Sequence, residues 1–248
     1  MNFNKLFYAT AALATLLPFA GAQSAKTPDL TGVWGTFRGG KGANAKFAPP
    51  AAGQLVLKPE YAKPYEARRA KEAAASQRGE QLATSSAQCV PYGVPTMMSV
   101  AVYPVEILQT SKQVTIISEA FSEVRRVYLD RPQASVEDVA PGYYGRSAGH
   151  WEGDTLVVDT IGIKTSVNGY RGMPHSEQMH LTERMRLVAP DILHDQITIE
   201  DPVVLEKPMV YTIAYQRVPD YEMVEFVCDN NREFVDESGV VRMRVKEK

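Results

Sequence analysis

The 248-residue chain lacks most of the motifs from which an activity is usually predicted. It contains no HExxH, no CxxC and no regular histidine ladder, so a transition-metal site is not expected. It has no GxSxG, no Walker loop and no GxGxxG after a strand, which leaves serine hydrolase and nucleotide chemistries without support. With 27 basic and 29 acidic residues, it has no electrostatic footprint for nucleic acid or an anionic membrane. We therefore predict no metal, no cofactor and no nucleic-acid partner.

Long apolar runs are also scarce. The first 22 residues combine Lys5, an apolar stretch from Leu6 to Ala20 and a small-residue triplet ending at Ala22. This pattern is typical of a secretory signal peptide, cleaved before Gln23. No later segment approaches the roughly 20 apolar residues that a spanning helix needs. We predict an exported protein, periplasmic or secreted, without a transmembrane segment, and the sequence leaves its oligomeric state open.

Cysteine is limited to Cys89 and Cys228, which both follow the predicted signal peptide. An oxidising compartment favours pairing the two, although two separately buried thiols remain the alternative. A disulfide would close a long loop, for which the chain-entropy model gives a stabilisation of roughly 2–4 kcal/mol.

The mature chain is predicted to form one domain with an N-terminal part, residues 23–99, and a β-rich part, residues 100–248. The N-terminal part is an arm with a strand-like island at Leu30 to Phe37. It continues into a helix over residues 59–80, dense in Ala, Glu, Lys and Arg, with Pro59 in the first turn. Because this helix is polar nearly all round, we expect it on the surface.

From residue 100 onward, short β-rich runs alternate with turn residues. They are AVYPVEILQT, QVTIISEAF, EVRRVYL, DTLVVDTIGI, EQMHLTERMRLV, LHDQITIE, MVYTIAYQRV, YEMVEFVC and GVVRMRV. Such runs without intervening helices are typical of an antiparallel meander, closed into a barrel or folded into a sandwich. We predict a mainly β protein, a single antiparallel β-barrel with an N-terminal arm and one surface helix.

The stretch GHWEGDTLVVDT, residues 149–160, is typical of a β-hairpin. Gly153 tolerates a positive φ between two carboxylates, Glu152 and Asp154, which we interpret as solvated turn residues. Asp159 lies two residues after Val157, so the two side chains share a face. We predict that Asp159 points inward, as a candidate catalytic carboxylate.

Strict alternation in QMHLTERMRLV places Glu183 alone on a face otherwise made of Met and Leu. A carboxylate in such a setting is a candidate general acid or base. An ion pair with an inward arginine is an equally weighted alternative. His175, in the loop before this strand, is a candidate proton shuttle or a turn histidine that caps the strand.

Ligand-binding residues are predicted from the inward faces of neighbouring strands. In EVRRVYL, one arginine of the adjacent pair must face inward if the strand belongs to a barrel, and we favour Arg126 because it shares a face with Tyr128. Glu106 is expected on the inward face of its own strand. Aromatic residues expected at the same pocket are Trp151, Tyr143 and Tyr144. Alternatively, one sheet face is solvated and these are ordinary surface residues.

The segments GHWEGDTLVVDTIGI, MPHSEQMHLTERMRL and TIEDPVVLEKP, with CVPYGVP upstream, resemble a large family of exported bacterial proteins without a settled activity. The motif set GxWEGDTLVVDT, PHS…ER and EDP covers most of the mature chain, and the PHS motif favours a functional role for His175. Separately, Gly32-Val33-Trp34 is similar to the Gly-x-Trp opening of lipocalins. The helical insertion at residues 59–80 departs from a simple lipocalin pattern.

The sequence thus supports three hypotheses. The first is an exported binding protein for a small hydrophobic or aromatic molecule in a barrel pocket, where Arg126 recognises an acidic group. The second is a cofactor-independent lyase, isomerase or hydrolase, in which Glu183 and His175 exchange protons and Arg126 stabilises negative charge. The third is a structural protein of the envelope. Whether Glu183 and His175 are close in space is not readable from the sequence.

Overall fold

The computed structural model describes residues 27–37, 45–84, 89–99, 102–228 and 233–243, so the predicted signal peptide lies outside the described residues. These ranges form one α-helix, α1 (Pro59–Gln77), several short 3₁₀ turns and a set of β-strands. Within the same ranges, no helix has both the length and the apolar character needed to cross a membrane. The prediction of a mainly β protein with one helix is confirmed.

Nine strands of the described part close into a barrel, with each strand next to its sequence neighbour, so the predicted barrel is confirmed. The strands are β1 (Gly32–Thr36), β2 (Val105–Gln109), β3 (Gln113–Ser118), β4 (Glu123–Tyr128), β5 (Arg146–Glu152), β6 (Thr155–Ile161), β7 (His180–Ala189), β8 (Ile192–Glu200) and β9 (Met209–Arg217). Two further strands, β10 (Glu233–Val235) and β11 (Val241–Met243), form a separate hairpin.

The direction of the strands differs from the prediction at one place. Eight neighbouring pairs are antiparallel, including β1 with β9, which closes the ring. Strands β4 and β5 are parallel, with Val127 opposite Ser147 and Tyr128 opposite Ala148. A parallel neighbour needs a crossover connection, which residues 129–145 provide. The prediction of a purely antiparallel barrel is therefore wrong at this pair.

The alternate residues of each strand point into the barrel. In β3, for example, Val114 and Ile116 are fully buried while the residues between them are partly exposed. Trp34 of β1 is also fully buried, and its indole N–H donates to the Leu30 carbonyl at 2.9 Å. The Arg217 guanidinium lies 4.2 Å from the centre of the Trp34 ring and so covers the closure of β1 on β9.

Helix α1 lies on the surface, as predicted, and Ala75 is its buried residue. Pro59 occupies the first turn, where a missing N–H costs nothing. The helix ends at Gln77 rather than at residue 80. Gly79 adopts a φ of 71°, a left-handed conformation that terminates a helix.

The prediction of a strand at YEMVEFVC is wrong, because residues 221–228 form no strand. Since β1 already occupies the edge of β9, this segment has no free barrel edge to join. It is held instead by the buried carboxylate of Glu119, which accepts from the Tyr221 hydroxyl at 2.8 Å and from a backbone N–H of the segment. The predicted disulfide is confirmed: Cys89 and Cys228, 139 positions apart, are bonded and fix the end of the segment.

Candidate functional site

A cluster of charged residues lies inside the barrel, with Arg125 of β4 at its centre. The Arg125 side chain is 1% exposed, and both of its terminal nitrogens donate to the Glu183 carboxylate, one of them at 2.8 Å. Its Nε donates to the Ser147 hydroxyl at 3.1 Å, and Nη2 also donates to the Thr160 hydroxyl at 2.9 Å. Arg125 therefore connects four consecutive strands from the inside.

Burial and charge act on Arg125 in opposite directions. Burial lowers the pKa of the guanidinium, but the negative charge of Glu183 outweighs this effect and the net pKa is raised. The bidentate geometry supplies the charge-assisted hydrogen bonds that a buried ion pair needs. Arg125 thus remains a cation at the centre of the barrel.

A second acid, Asp195 of β8, lies beside this ion pair. It is fully buried, and neither carboxyl oxygen has a hydrogen-bond donor among the described residues. Burial raises the pKa of Asp195 well above its ordinary value, and the nearby charge of Glu183 raises it further, while Arg125 offsets part of the shift. We infer that Asp195 keeps its proton at neutral pH, because burial and the neighbouring Glu183 charge both favour its neutral form.

Two tyrosines of β9 line the same interior. The pKa of both Tyr211 and Tyr215 is raised well above the ordinary value, first by burial and then by the charges of Asp195 and Glu183. Both phenols therefore stay protonated. The Tyr215 hydroxyl donates to the Met98 carbonyl, whereas no hydrogen bond of the Tyr211 hydroxyl is found among the described residues.

One end of the barrel is covered by the loop of residues 162–179, which joins β6 to β7 and is called the cover loop below. Its Tyr170 ring packs on Tyr211 at a centroid distance of 4.2 Å. Helix α1 contacts the outside of the loop through two side chains. The Tyr65 hydroxyl donates to the Arg171 carbonyl at 3.3 Å, and the Arg68 guanidinium donates to the Gly172 carbonyl. The cover loop therefore separates the interior cluster from solvent at this end.

His175 is a structural member of the cover loop. It is 7% exposed, and its ring nitrogens lie 2.8 Å from the Val167 carbonyl and 2.9 Å from the Ser176 carbonyl. Ser176 binds the buried Asp201 through its backbone N–H at 2.7 Å and its hydroxyl at 2.9 Å. The PHS and EDP motifs thus meet in space, and no hydrogen bond joins His175 to Glu183.

Glu183 faces the interior, as its strand pattern predicted, and is 0% exposed. The ion pair with an inward arginine is present, but the arginine is Arg125 and not Arg126. Arg126 is exposed, so the prediction that it points inward is wrong. The error came from grouping it with Tyr128, whose ring lies on the outer face beneath the Arg131 guanidinium, 4.5 Å away.

Two carboxylates predicted to face inward lie on the outer face. Glu106 alternates with the buried Val105 and Ile107, so it points away from the interior. Asp159 shares a face with Val157, as predicted, but this is the outer face, because the next residue, Thr160, contacts Arg125 inside. On this outer face the Gln133 amide of the crossover segment donates to Asp159 at 2.8 Å, and Val157 is buried, so an apolar neighbour did not identify the inner face.

The predicted aromatic residues have different positions. Trp151 lies opposite the fully buried Leu156, is half-buried and packs against the core at the barrel rim. Tyr143 and Tyr144 are half-buried residues of the crossover segment, with ring centroids 6.5 Å apart. Burial raises the pKa of Tyr144 to about 12, with the charge of Glu123 as the next cause. Among the described ring contacts, Tyr143 and Tyr144 contact each other, and neither contacts Trp151.

An outer groove holds a second polar cluster that the sequence analysis missed. His180 Nε2 lies 2.5 Å from Asp159, and Nδ1 lies 3.4 Å from Glu200. The hydrogen bond to Asp159 raises the pKa of His180. Burial raises the pKa of Asp159, but the bonds from His180 and Gln133 outweigh it, so the net pKa is lowered. The adjacent cavity, of about 520 Å³, is lined in part by Asp159, Gln133 and His150.

Asp195 was also missed, although the sequence carried its signal. In LHDQITIE it alternates with Leu193, Ile197 and Ile199, which is the pattern that identified Glu183. The described residues contain no group of three or more His, Cys, Asp or Glu side chains arranged to hold a metal ion.

The fold and the interior cluster together define a closed β-barrel with a buried ion pair and a neighbouring protonated acid. No protein-family model and no curated protein matches the chain.

Proposed function

We propose that the protein is an exported, lipocalin-like binding protein that holds a small hydrophobic or aromatic molecule inside the barrel, with a polar group of the ligand bonded to Asp195. The observation that carries the proposal is the buried carboxyl of Asp195, which lacks a hydrogen-bond donor among the described residues. A buried polar group without a partner costs about 1–3 kcal/mol, so a ligand that hydrogen-bonds Asp195 would be stabilised by about that amount.

The surroundings of Asp195 fit such a ligand. Most inward side chains around it are apolar and offer no hydrogen bond to a ligand; they include Met185, Ile197, Ile213 and Leu181. The protonated carboxyl of Asp195 offers both a donor and an acceptor, which suits a hydroxyl or phenol. A ligand of this class combines an apolar body with one oriented polar group.

Access passes the cover loop. Tyr170 and Tyr211 stack at this end of the barrel, and movement of the loop would expose Tyr211 first. The disulfide between Cys89 and Cys228 and the signal-peptide pattern support a periplasmic or extracellular location. The motif resemblance to exported bacterial proteins supports the same location.

The test begins with native mass spectrometry of the protein purified from its host, followed by denaturation and identification of any released molecule. Binding of 2-naphthol, an aromatic probe with one hydroxyl, is then measured by tryptophan fluorescence. Asp195→Leu should weaken binding about tenfold, because one neutral hydrogen bond is lost. Asp195→Asn keeps a donor and an acceptor, so it should retain most of the affinity. Thr198→Leu, on the outer face of the same strand, is the matched control.

Three results would reject the proposal: no released molecule together with no 2-naphthol binding, an unchanged affinity in Asp195→Leu, or an equal loss in Thr198→Leu. Melting temperatures of the three variants separate loss of binding from loss of folding.

A second candidate function is acid–base catalysis in the same interior, and the position of protonated Asp195 beside the charged Glu183 favours it. In this version Asp195 is the acid and Glu183 the base, in place of His175, whose two ring nitrogens both contact backbone carbonyls. Incubation of the released molecule with wild-type protein and Asp195→Asn separates the two functions. Turnover that disappears in Asp195→Asn, with binding retained, supports catalysis; no turnover in either leaves binding as the function.

A further inference from the structure

A second cavity, of about 330 Å³, lies on the outer face of β6 to β9 and is called the outer pocket below. Its polar residues form two rows across the strands. Thr155, Arg186 and His194 lie opposite one another in the first row, and Arg184, Gln196 and Thr212 in the second. All six point outward and line the same cavity.

The N-terminal arm forms one side of the outer pocket through Pro50. It is fixed there by two hydrogen bonds, from His194 Nε2 to the Phe47 carbonyl at 2.9 Å and from the Gly53 N–H to the Val210 carbonyl at 2.7 Å. The arm therefore converts an exposed strand face into a concave site with walls.

The charge of the outer pocket is positive. None of its lining residues is an acid. Arg184 is paired with Glu152 at 2.8 Å, on the neighbouring hairpin. Arg186, two positions further on the same face, makes no ion pair and no hydrogen bond within the described part of the chain. Glu152 neutralises Arg184, and the Asp154 carboxylate beside the pocket accepts from the Thr155 hydroxyl at 3.0 Å, so Arg186 is the lining charge that a bound anion would neutralise.

We propose that the outer pocket binds a small organic anion, a carboxylate or a phosphate ester, with Arg186 as its main charge partner. The guanidinium matches the planar or tetrahedral oxygens of these groups, and the Thr212 hydroxyl and the Gln196 amide supply further donors. The volume lies at the lower end of the range for small-molecule sites. This site is separate from the barrel interior and independent of the function proposed above.

Isothermal titration calorimetry with inorganic phosphate, citrate and glucose 6-phosphate tests the proposal, with glucose as the uncharged match of the last probe. We expect saturable one-to-one binding of at least one anion and no binding of glucose. Arg186→Gln should weaken that binding tenfold or more, because a charge-assisted hydrogen bond is lost. Arg126→Gln removes an exposed arginine of β4 from outside the pocket and should leave the affinity unchanged.

Failure of all three anions to bind at millimolar concentration overturns the proposal, as does equal binding by the two arginine variants. Equal affinity for glucose and glucose 6-phosphate would also overturn it, because the anionic group would then contribute nothing. Arg186 is exposed, so we expect both variants to have the melting temperature of the wild type. A change in affinity then measures the contact between Arg186 and the anion directly.

Discussion

Replacing the two members of the buried ion pair, singly and together, tests the energetic account of the barrel interior. Arg125→Met leaves the Glu183 carboxylate buried without a cation, and Glu183→Leu leaves the guanidinium without its bidentate partner. Breaking a buried pair on one side costs about 3–5 kcal/mol. The double variant removes both charges and replaces them with apolar groups, so it should be markedly more stable than the sum of the single losses predicts.

The two single variants should not be equal. Burial is the first cause of the raised pKa of Asp195 and the charge of Glu183 the second; Glu183→Leu removes the second, so Asp195 ionises more readily and becomes a new partner for Arg125. In Arg125→Met, two acids remain and no cation replaces the one removed. The Ser147 and Thr160 hydroxyls still bond each other at 2.9 Å in that variant. We expect the loss of unfolding free energy to be close to 5 kcal/mol in Arg125→Met and close to 3 kcal/mol in Glu183→Leu, the two ends of the range of about 3–5 kcal/mol.

The assay is urea unfolding followed by tryptophan fluorescence, with the disulfide intact. The matched control is the exposed pair of Arg184 with Glu152, in which Arg184→Met and Glu152→Leu should show a coupling of about 0.2–1 kcal/mol. The reasoning is refuted if Arg125→Met and Glu183→Leu add to within about 0.5 kcal/mol, the limit for independent sites.

Three further predictions concern other residues. Burial raises the pKa of Asp195, so the residue lowers the free energy of unfolding only above about pH 4, and by more as the pH rises. The increase in the free energy of unfolding caused by Asp195→Asn, measured with urea, should therefore grow by about 1.4 kcal/mol per pH unit until the folded-state pKa is reached. Replacing Cys89 and Cys228 by Ser should cost about 2–4 kcal/mol by calorimetry, given a closed loop of 139 positions, and an unchanged melting temperature would contradict this. His180 has a raised pKa, so its bond to Asp159 stabilises the fold fully below about pH 6.5 and less as the pH rises through the folded-state pKa. If His180→Asn lowers the free energy of unfolding by the same amount at every pH, this reasoning is refuted.

The sequence predicted the barrel and most of its strands because each strand buries one face, which imposes an alternation of period two. The same alternation identified Glu183 as an inward carboxylate. It could not decide between Arg125 and Arg126, because the two occupy opposite faces and neither face of EVRRVYL is free of polar residues. The choice rested on Tyr128, and the partial burial of that residue comes from the outer side.

Other features depend on contacts between distant segments. Asp159 sits among apolar residues of β6 that are buried on both faces, so no pattern within the strand separates inside from outside. The pairing of Ser176 with Asp201 joins two loops that alternation does not describe. The parallel pair of β4 and β5 follows from the path of the crossover segment, which has no periodic signal. These are properties of the chain path rather than of local sequence.

The number of strands has a consequence for where the barrel is weakest. A ring of nine strands cannot alternate in direction all the way round, so one junction between like-directed neighbours is unavoidable. In this protein the junction is the pair of β4 and β5, which share two register positions, whereas β5 and β6 share seven. The bond from Arg125 to Ser147 crosses this junction from within. The buried Arg125 therefore links β4 and β5 where backbone pairing is shortest. We expect a substitution that removes this bond to separate the barrel first between these two strands.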